Sequence, residues 1–244
     1  MFRHVEIVIA AALVVAAACG GAAPPAARAT PIATPAATPA QPTITVLASG
    51  KVDSLPTGAL FVNYLDLPQA AGGSIKHQHG AGFVYTVSGM HQLDSDGVPS
   101  LMLHAEGAAF VGANVMHTHM NPGTTPNDWW FIAVRPAASR PLPTIVPGQK
   151  ELYTTGDLTQ IPAGSYTETL SDSRLVANGI DRPTGPSLRV LYVIEGALTV
   201  SGDAAMTGTV STGQGAYSLP DANLVLTAGP TGARYVTFTL TPAR

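Results

Sequence analysis

The chain contains an internal repeat, in which short segments of the first half recur in the second half at a nearly constant spacing. The paired segments are Leu55–Gly58 with Ile161–Gly164 (offset 106), Phe83–Gly89 with Val190–Gly196 (107), Gly107–Ala108 with Gly215–Ala216 (108) and Trp130–Val134 with Tyr235–Thr239 (105). A repeat of this length indicates one structural unit used twice. The sequence therefore predicts two tandem domains of about 100 residues each.

Both halves carry the pattern of β-strands. Short runs rich in Val, Thr, Tyr and Phe alternate with Gly, Pro, Asn and Asp, and no convincing helical period is present. This spacing favours an all-β fold of two sandwiches or barrels. We place the domains at residues 44–140 and 150–244, because residues 136–150 carry four prolines.

The N-terminus is typical of an export signal. Arg3 precedes an apolar run from Ile7 to Ala18, which is shorter than the roughly 20 residues that span a bilayer, so we predict a signal peptide over residues 1–18. The only cysteine, Cys19, follows this run and resembles the lipidated cysteine of bacterial lipoproteins, although Ala16 stands where leucine is usual. We expect an exported protein, lipid-anchored outside the cytoplasmic membrane. Cleavage at a nearby Ala-x-Ala, which would give a secreted protein, is the alternative.

The segment at residues 19–43 is rich in Pro, Ala and Thr and has no apolar periodicity, which predicts an extended tether. The net charge of −3 gives no basic surface for nucleic acid. The lipid anchor is therefore the only predicted contact with a membrane, and a small molecule is the predicted partner.

Six of the seven histidines fall within 43 residues of the first half, and the second half has none. They include two His-x-His pairs, His77 with His79 and His117 with His119. Along a β-strand, residues two apart lie about 7 Å from each other and point to the same face. Imidazoles arranged in this way can converge on one metal ion.

These pairs lie in a pattern that resembles the two motifs of the cupin family. The first motif combines glycine, His-x-His, glutamate and glycine, and the second combines glycine, a strand, histidine and asparagine. The matching residues are Gly73, His77, His79 and Gly89 for the first motif, and Gly107, His117 and Asn121 for the second. The resemblance implies a small β-barrel (double-stranded β-helix or jelly roll) in each half. It also implies a metal site inside the first barrel, with His77, His79 and His117 as ligands.

The glutamate ligand of the family is missing, because Gly82 and Phe83 occupy its place. Three-histidine sites are known in cupin dioxygenases, and such sites leave metal positions open. Alternatively, His119 is a fourth ligand. His91 is a weaker candidate ligand, which we otherwise place in the pocket with Phe83. Imidazole donors favour one divalent transition metal (Fe, Mn, Zn, Ni or Cu) over Ca or Mg.

The second barrel is predicted to bind no metal. By the offsets, Thr184, Pro186 and Val225 stand where the first half has its three ligand histidines. We expect the charged side chains of this half to be solvated: Glu168, Asp172, Arg182 and Glu195.

Two functions compete. The cupin resemblance implies a metal-dependent oxygenase or isomerase acting on a small organic molecule. In such an enzyme Tyr85 can hydrogen-bond the substrate, although packing in the barrel explains Tyr85 equally well. The alternative is a non-enzymatic lipoprotein that binds a small ligand or a metal ion. Histidines without a functional role are a third reading. Cupins often pair through their sheets, so the resemblance also allows a homodimer.

Overall fold

β-Strands make up almost all of the regular structure in residues 40–243, the part of the chain that the computed structural model describes. A single 3-10 turn at Ala137–Ser139 is the only helical segment within this range. No helix of these residues is long and apolar enough to cross a membrane. The predicted signal peptide, Cys19 and most of the predicted tether lie outside the described residues.

The strands confirm the all-β prediction. In chain order they are β1 (Thr43–Val52), β2 (Leu60–Gln69), β3 (Ser74–His77), β4 (Gly82–Ser88), β5 (Met90–Ser95), β6 (Leu101–His104), β7 (Ala108–Val111), β8 (His117–Met120), β9 (Asn127–Pro136), β10 (Lys150–Thr154), β11 (Tyr166–Leu175), β12 (Ile180–Asp181), β13 (Leu188–Gly202), β14 (Gly208–Ser211), β15 (Gly215–Ser218) and β16 (Leu224–Pro242).

The first half forms a barrel from two sheets. A five-stranded sheet in the order β10-β2-β9-β4-β7 packs against a four-stranded sheet in the order β3-β8-β5-β6. The core between them holds apolar side chains of both sheets, including Leu67, Leu93 and Phe131. The four-stranded sheet carries the His-x-His pairs, so its inner face decides what the barrel can bind.

The second half forms its barrel from one continuous sheet. Its main order is β1-β11-β16-β13-β14, and β12 and β15 pair with β16 and β13. The long strands β13 and β16 bend at register shifts near Glu195, so that each strand contributes to two sides of the barrel. Its apolar core includes Leu198, Leu224 and Leu226.

The two halves exchange their first strands. β1 pairs with β11 of the second half, from Thr43 opposite Arg174 to Val52 opposite Tyr166. In return, β10 pairs with β2 of the first half, with Lys150 opposite Asp66. A third apolar core lies between the barrels and contains Tyr64, Phe83 and Trp130 of the first half and Tyr192 and Phe238 of the second.

The strand registers define the offset of the repeat more closely. Tyr85 pairs with Ala108, and Tyr192, which lies 107 residues after Tyr85, pairs with Gly215. Gly215 therefore corresponds to Ala108 and not to Gly107, a shift of one residue from the sequence comparison. Gly89 and Gly196 both have φ +74°, a backbone conformation that L side chains rarely adopt, so the repeat also extends to the bend between strands.

Candidate metal centre

The pairing of β3 with β8 brings the two His-x-His pairs together. His77 lies opposite His117 in the register, and His79 follows two residues after the end of β3. Along β8 the side chains alternate between buried and half-buried, so His117 and His119 both point into the barrel. The first barrel therefore presents four imidazoles to one point, as the two spacings predict.

The geometry of the four imidazoles fits a metal ion. One ring nitrogen from each of His77, His79, His117 and His119 lies within 4.8 Å of the others. Two nitrogens bound to one metal are at most about 4.2 Å apart, since a metal–nitrogen bond is roughly 2.1 Å, so the four rings would have to move slightly closer together around a bound ion. All four Nε2 atoms are buried and make no hydrogen bond to any described residue. Unpartnered buried acceptors are costly, and a bound cation would satisfy all four at once.

Hydrogen bonds at Nδ1 orient three of these rings. His79 donates to the carbonyl of Gly80 over 2.6 Å, and His117 donates to the carbonyl of Val115 over 2.7 Å. Nδ1 of His119 lies 2.9 Å from Nε2 of His91. A proton held on Nδ1 leaves the Nε2 lone pair free to bind a metal.

His91 holds His119 and is not a member of the four-histidine cluster. Its ring is fully buried and also lies 4.8 Å from the Trp129 ring, on which His119 stacks at 4.3 Å. The prediction that His91 lines the pocket is refined accordingly: His91 fixes the orientation of a candidate ligand.

Burial keeps the imidazoles neutral. Loss of hydration lowers the pKa of His79 to about 3 and that of His91 to about 4. It also lowers the pKa of His77 and His117, and it places the pKa of His119 well below its usual range. A neutral imidazole is the form that binds a metal, so the site is ready for a cation at neutral pH.

The missing glutamate has a steric explanation. A Cβ atom at Gly82 would lie 2.7 Å from the carbonyl oxygen of Ile132 and 2.8 Å from the Phe131 ring. The same ring packs against His79, with the centroids 4.1 Å apart. A larger side chain at Gly82 would overlap the Phe131 ring and the carbonyl oxygen of Ile132, and His119 contributes the fourth nitrogen of the cluster.

A cavity of about 240 Å³ opens beside the centre. Its polar walls are formed by His77, Gln78, His79 and Arg135. The remaining side chains that line it are apolar: Leu65, Trp129, Phe131, Leu142, Pro143 and Ile145. Leu142 and Ile145 belong to the segment that joins the two halves. A small molecule in this cavity would touch the side of the centre formed by His77 and His79.

Phe83 and Tyr85 face the other way. Both lie in the core between the barrels, and Phe83 packs against Phe110 and Phe238. The sequence placed Phe83 in the pocket and Tyr85 near a substrate. The strand directs Val84 to the histidine side and its neighbours to the opposite side, so Phe83 lies outside the histidine cavity and Tyr85 takes the packing role that was the alternative. The Tyr85 hydroxyl lies 3.5 Å from Arg234 instead.

The second barrel has leucines where the first has histidines. Leu93 pairs with His119, and Val200, its equivalent at an offset of 107, pairs with Leu226. By the same register Leu224, and not Val225, corresponds to His117, and Leu198 corresponds to His91. The residue equivalent to His117 therefore differs by one position from the sequence comparison, and the absence of ligands in this barrel stays a prediction.

The sequence did not predict the environments of three charged residues. Glu168 is 1% exposed and Asp172 is buried in an ion pair with Arg234, so neither is the solvated charge that was expected. Arg135 was not considered, yet it lines the histidine cavity. Strand alternation is the signal that was available, since Glu168 lies two residues from both Tyr166 and Leu170 of the core.

Comparison with solved structures identifies the fold. No protein-family model and no curated protein sequence matches the chain. AerE from Microcystis aeruginosa superposes with a TM-score of 0.53 and 15% identity, over 80% of this chain and 98% of that one. Procruciferin, an 11S globulin from Brassica napus, gives 0.52 and 10% identity, over 80% and 84% of the two chains. Both are cupin-family proteins.

The fold is of the cupin type. The structural matches cover most of the chain, so they extend over both barrels and not only over the histidine half. At these identities the likeness concerns the fold, and the function has to be argued from the histidine centre.

Proposed function

We propose that the first cupin barrel binds one divalent transition metal ion through His77, His79, His117 and His119. Two observations carry this proposal: one ring nitrogen from each of the four histidines lies within 4.8 Å of the others, and all four Nε2 atoms are buried without a partner in the described chain. Four imidazole nitrogens favour Fe, Mn, Zn, Ni or Cu over Ca or Mg, whose preferred ligands are oxygens.

We propose that this centre serves a reaction of a small organic molecule, of the oxygenase or isomerase class. The cavity beside His77 and His79 gives such a molecule access to the centre, and its apolar walls exclude water. A bound metal would supply Lewis acidity or redox chemistry there. The chain itself would hold the four nitrogens and orient His119 through His91.

A non-enzymatic metal- or ligand-binding protein is the second candidate. Four neutral imidazoles complete the coordination of a tetrahedral ion and leave no position for a substrate. The residues that line the histidine cavity include no carboxyl, hydroxyl or thiol group among the described part of the chain. Both observations favour a storage or capture role over acid–base chemistry.

Metal analysis tests the site. Untagged protein should contain about one equivalent of a transition metal per chain after loading and desalting. The His77→Ala/His79→Ala variant should lose the metal, because half of the donor set is removed. The exposed His104 provides the matched control, since His104→Ala leaves all four donors in place. Protein that takes up none of the five metals would overturn the proposal.

Substrate screening separates the two candidates. Metal-loaded protein is mixed with small organic acids and alcohols without air, and oxygen consumption and product formation are followed after air is admitted. Turnover that disappears with the His77→Ala/His79→Ala variant supports an enzyme. Stable metal binding with no turnover across the screen supports the binding protein.

We further propose that the protein is exported and anchored through Cys19. The apolar run that ends at Ala18 and the Pro/Ala/Thr-rich segment that follows support this assignment. Cys19→Ser should release the protein from the membrane fraction. Unchanged retention of that variant would contradict a lipid anchor.

A further inference from the structure

A second cavity, of about 520 Å³, lies where β1 and β11 meet the first barrel. It shares Gly80, Phe131 and Arg135 with the histidine cavity. Much of the remaining wall is apolar: Val52, Leu55, Pro56, Ala81, Ala113, Ala133 and Val134. Its size is within the range of small-molecule sites, which is about 300–1,000 Å³.

The first unusual feature of this cavity is the carboxyl group of Glu168. Tyr166 and Leu170 flank it on the same face of β11 and belong to the core between the barrels. Glu168 is 1% exposed, and its Oε2 atom makes no hydrogen bond to any residue in 40–243. No cationic side chain of this range lies within 4.0 Å of it. Burial raises its pKa to about 7.

The second unusual feature is the guanidinium group of Arg135, which lines the same cavity. Its Nε donates to Oδ1 of Asn63 over 3.0 Å, and its carbon lies 5.3 Å from the centre of the Phe131 ring. Its two terminal nitrogens make no hydrogen bond to another described residue, and no carboxylate of the described chain pairs with it. Arg135 is half-buried, and this partial burial lowers its pKa.

Arg135 and Glu168 therefore place two opposite charges on one cavity without contacting each other. An ion pair between them would require a nitrogen–oxygen distance of 4.0 Å or less, and none is present among the described residues. A buried carboxyl group without a hydrogen-bond partner, such as that of Glu168, is costly whether or not it is ionised. A ligand that carries both an anion and a cation would compensate the two charges together, and its body would cover the apolar wall.

We propose that this cavity binds a small zwitterion of the amino-acid class, with its carboxylate at Arg135, its ammonium group at Glu168 and an apolar side chain against the wall. The ammonium group would donate hydrogen bonds to the unpartnered Oε2, and the carboxylate would accept two from the free nitrogens of the guanidinium group. The proposal does not depend on a metal at the histidine centre, and it assigns the second cavity a ligand of its own.

Binding of L-leucine, L-valine and L-methionine to the intact protein tests the proposal directly. Isocaproate resembles leucine without the ammonium group, and isoamylamine resembles leucine without the carboxylate. Calorimetry should show that at least one of the three amino acids binds. The two single-charge analogues of leucine should bind about tenfold more weakly or worse than leucine, because each leaves either Arg135 or Glu168 without a partner in the cavity.

Two variants assign the charges. Glu168→Gln should weaken binding of the amino acid about tenfold or more but leave isocaproate unaffected. Arg135→Gln should also weaken binding of the amino acid about tenfold or more, but it should leave binding of isoamylamine unaffected. Glu151→Gln is the matched control, because Glu151 is exposed on β10 outside this cavity. Metal content is measured in parallel, so that damage to the histidine centre is seen separately.

Three results would overturn the proposal: none of the three amino acids binds, the single-charge analogues bind as well as leucine, or Glu151→Gln weakens binding as much as Glu168→Gln does. The comparison of probes uses the unmodified chain, so it remains decisive even where a variant fails to fold. If leucine binds but no metal does, only the proposed metal centre is contradicted.

Discussion

At the residue scale, the pair formed by His91 and His119 connects metal binding to stability. Their hydrogen bond, 2.9 Å long, satisfies one nitrogen of each buried ring. Nδ1 of His91 and Nε2 of His119 have no partner in the described chain. The second barrel has Leu198 and Leu226 at the equivalent places, and both are buried in its apolar core.

The double variant His91→Leu/His119→Leu should be at least as stable, without metal, as the metal-free parent. Replacing both partners of a buried polar pair by apolar groups of similar size is nearly neutral or stabilising, whereas removing one partner costs roughly 1–3 kcal/mol. His91→Leu alone should therefore lower the melting temperature by several degrees. Thermal unfolding in the presence of a chelator measures both. A double variant less stable than the single one would contradict this account.

Metal-free protein should lose stability as the pH falls below about 6.5. The folded-state pKa values of His79 and His91, about 3 and about 4, lie below the unfolded value of 6.5. The unfolded chain then binds more protons than the folded one, so stability rises with pH across this window. The melting temperature at pH 5 should be below that at pH 7.5, and the double leucine variant should show a smaller difference. Equal differences in the two proteins would show that other groups control the pH response.

The four candidate ligands could be found from the sequence because two His-x-His spacings are visible without any knowledge of the fold. The sequence left open whether His119 joins the other three, and the pairing of β3 with β8, which is not visible in the sequence, brings its ring to them. Glu168 and Arg135 were missed for another reason: a single charge in a strand is usually solvated, and only the pairing of β1 with β11 buries Glu168.

At the element scale, the bends between strands depend on glycine. Gly196 lies within β13 at φ +74°, and a Cβ atom there would be 2.2 Å from the carbonyl oxygen of Gly232 on β16. Gly97 has a similar φ of +78°, but a Cβ atom at Gly97 would meet nothing within 4 Å. A substitution at Gly97 therefore tests backbone strain alone, whereas a substitution at Gly196 tests backbone strain together with steric overlap.

Gly196→Ala should destabilise the protein more than Gly97→Ala does. The left-handed conformation costs about 1–2 kcal/mol for alanine at either place. Only Gly196→Ala must also push two strands apart, which should add at least as much again. Denaturant unfolding of both variants gives the comparison. Equal losses would mean that β13 and β16 adjust to the extra methyl group without cost.

Element types and the repeat were predictable, because alternation and spacing are local properties of the sequence. The exact offset was not predictable. The sequence segments matched at offsets of 105 to 108 residues, whereas the pairing of β4 with β7 and of β13 with β15 gives an offset of 107 between Ala108 and Gly215. A shift of one residue moves a strand's side chains to the opposite face. This explains why Leu224, and not Val225, stands where the first barrel has His117.

At the scale of the whole molecule, the two barrels depend on each other. They exchange β1 and β10, and Glu106 of the first half accepts a hydrogen bond of 2.7 Å from Arg234 of the second. Arg234 also pairs with Asp172 inside the second half. No sequence pattern predicts the exchange, since alternation identifies the buried face of β1 but not the strand with which it pairs.

Neither half should fold by itself. A fragment of residues 40–149 lacks β10 and leaves β1 without β11, and it would expose the core face that holds Tyr64 and Phe83. We expect this fragment to lack near-ultraviolet circular dichroism and to bind hydrophobic dyes, while the intact chain unfolds in one calorimetric transition. Adding the fragment of residues 150–244 should restore structure. Two separate transitions in the intact chain would show that the barrels are independent.

The exchange of β1 also sets an order of events during synthesis. Residues 43–52 are synthesised first, but residues 166–175, the strand with which they pair within residues 40–243, emerge more than 100 residues later. At roughly 5–20 residues per second, β1 waits several seconds or longer for that strand. A nascent chain that stays incompletely folded for this long gives chaperones time to bind before folding is complete.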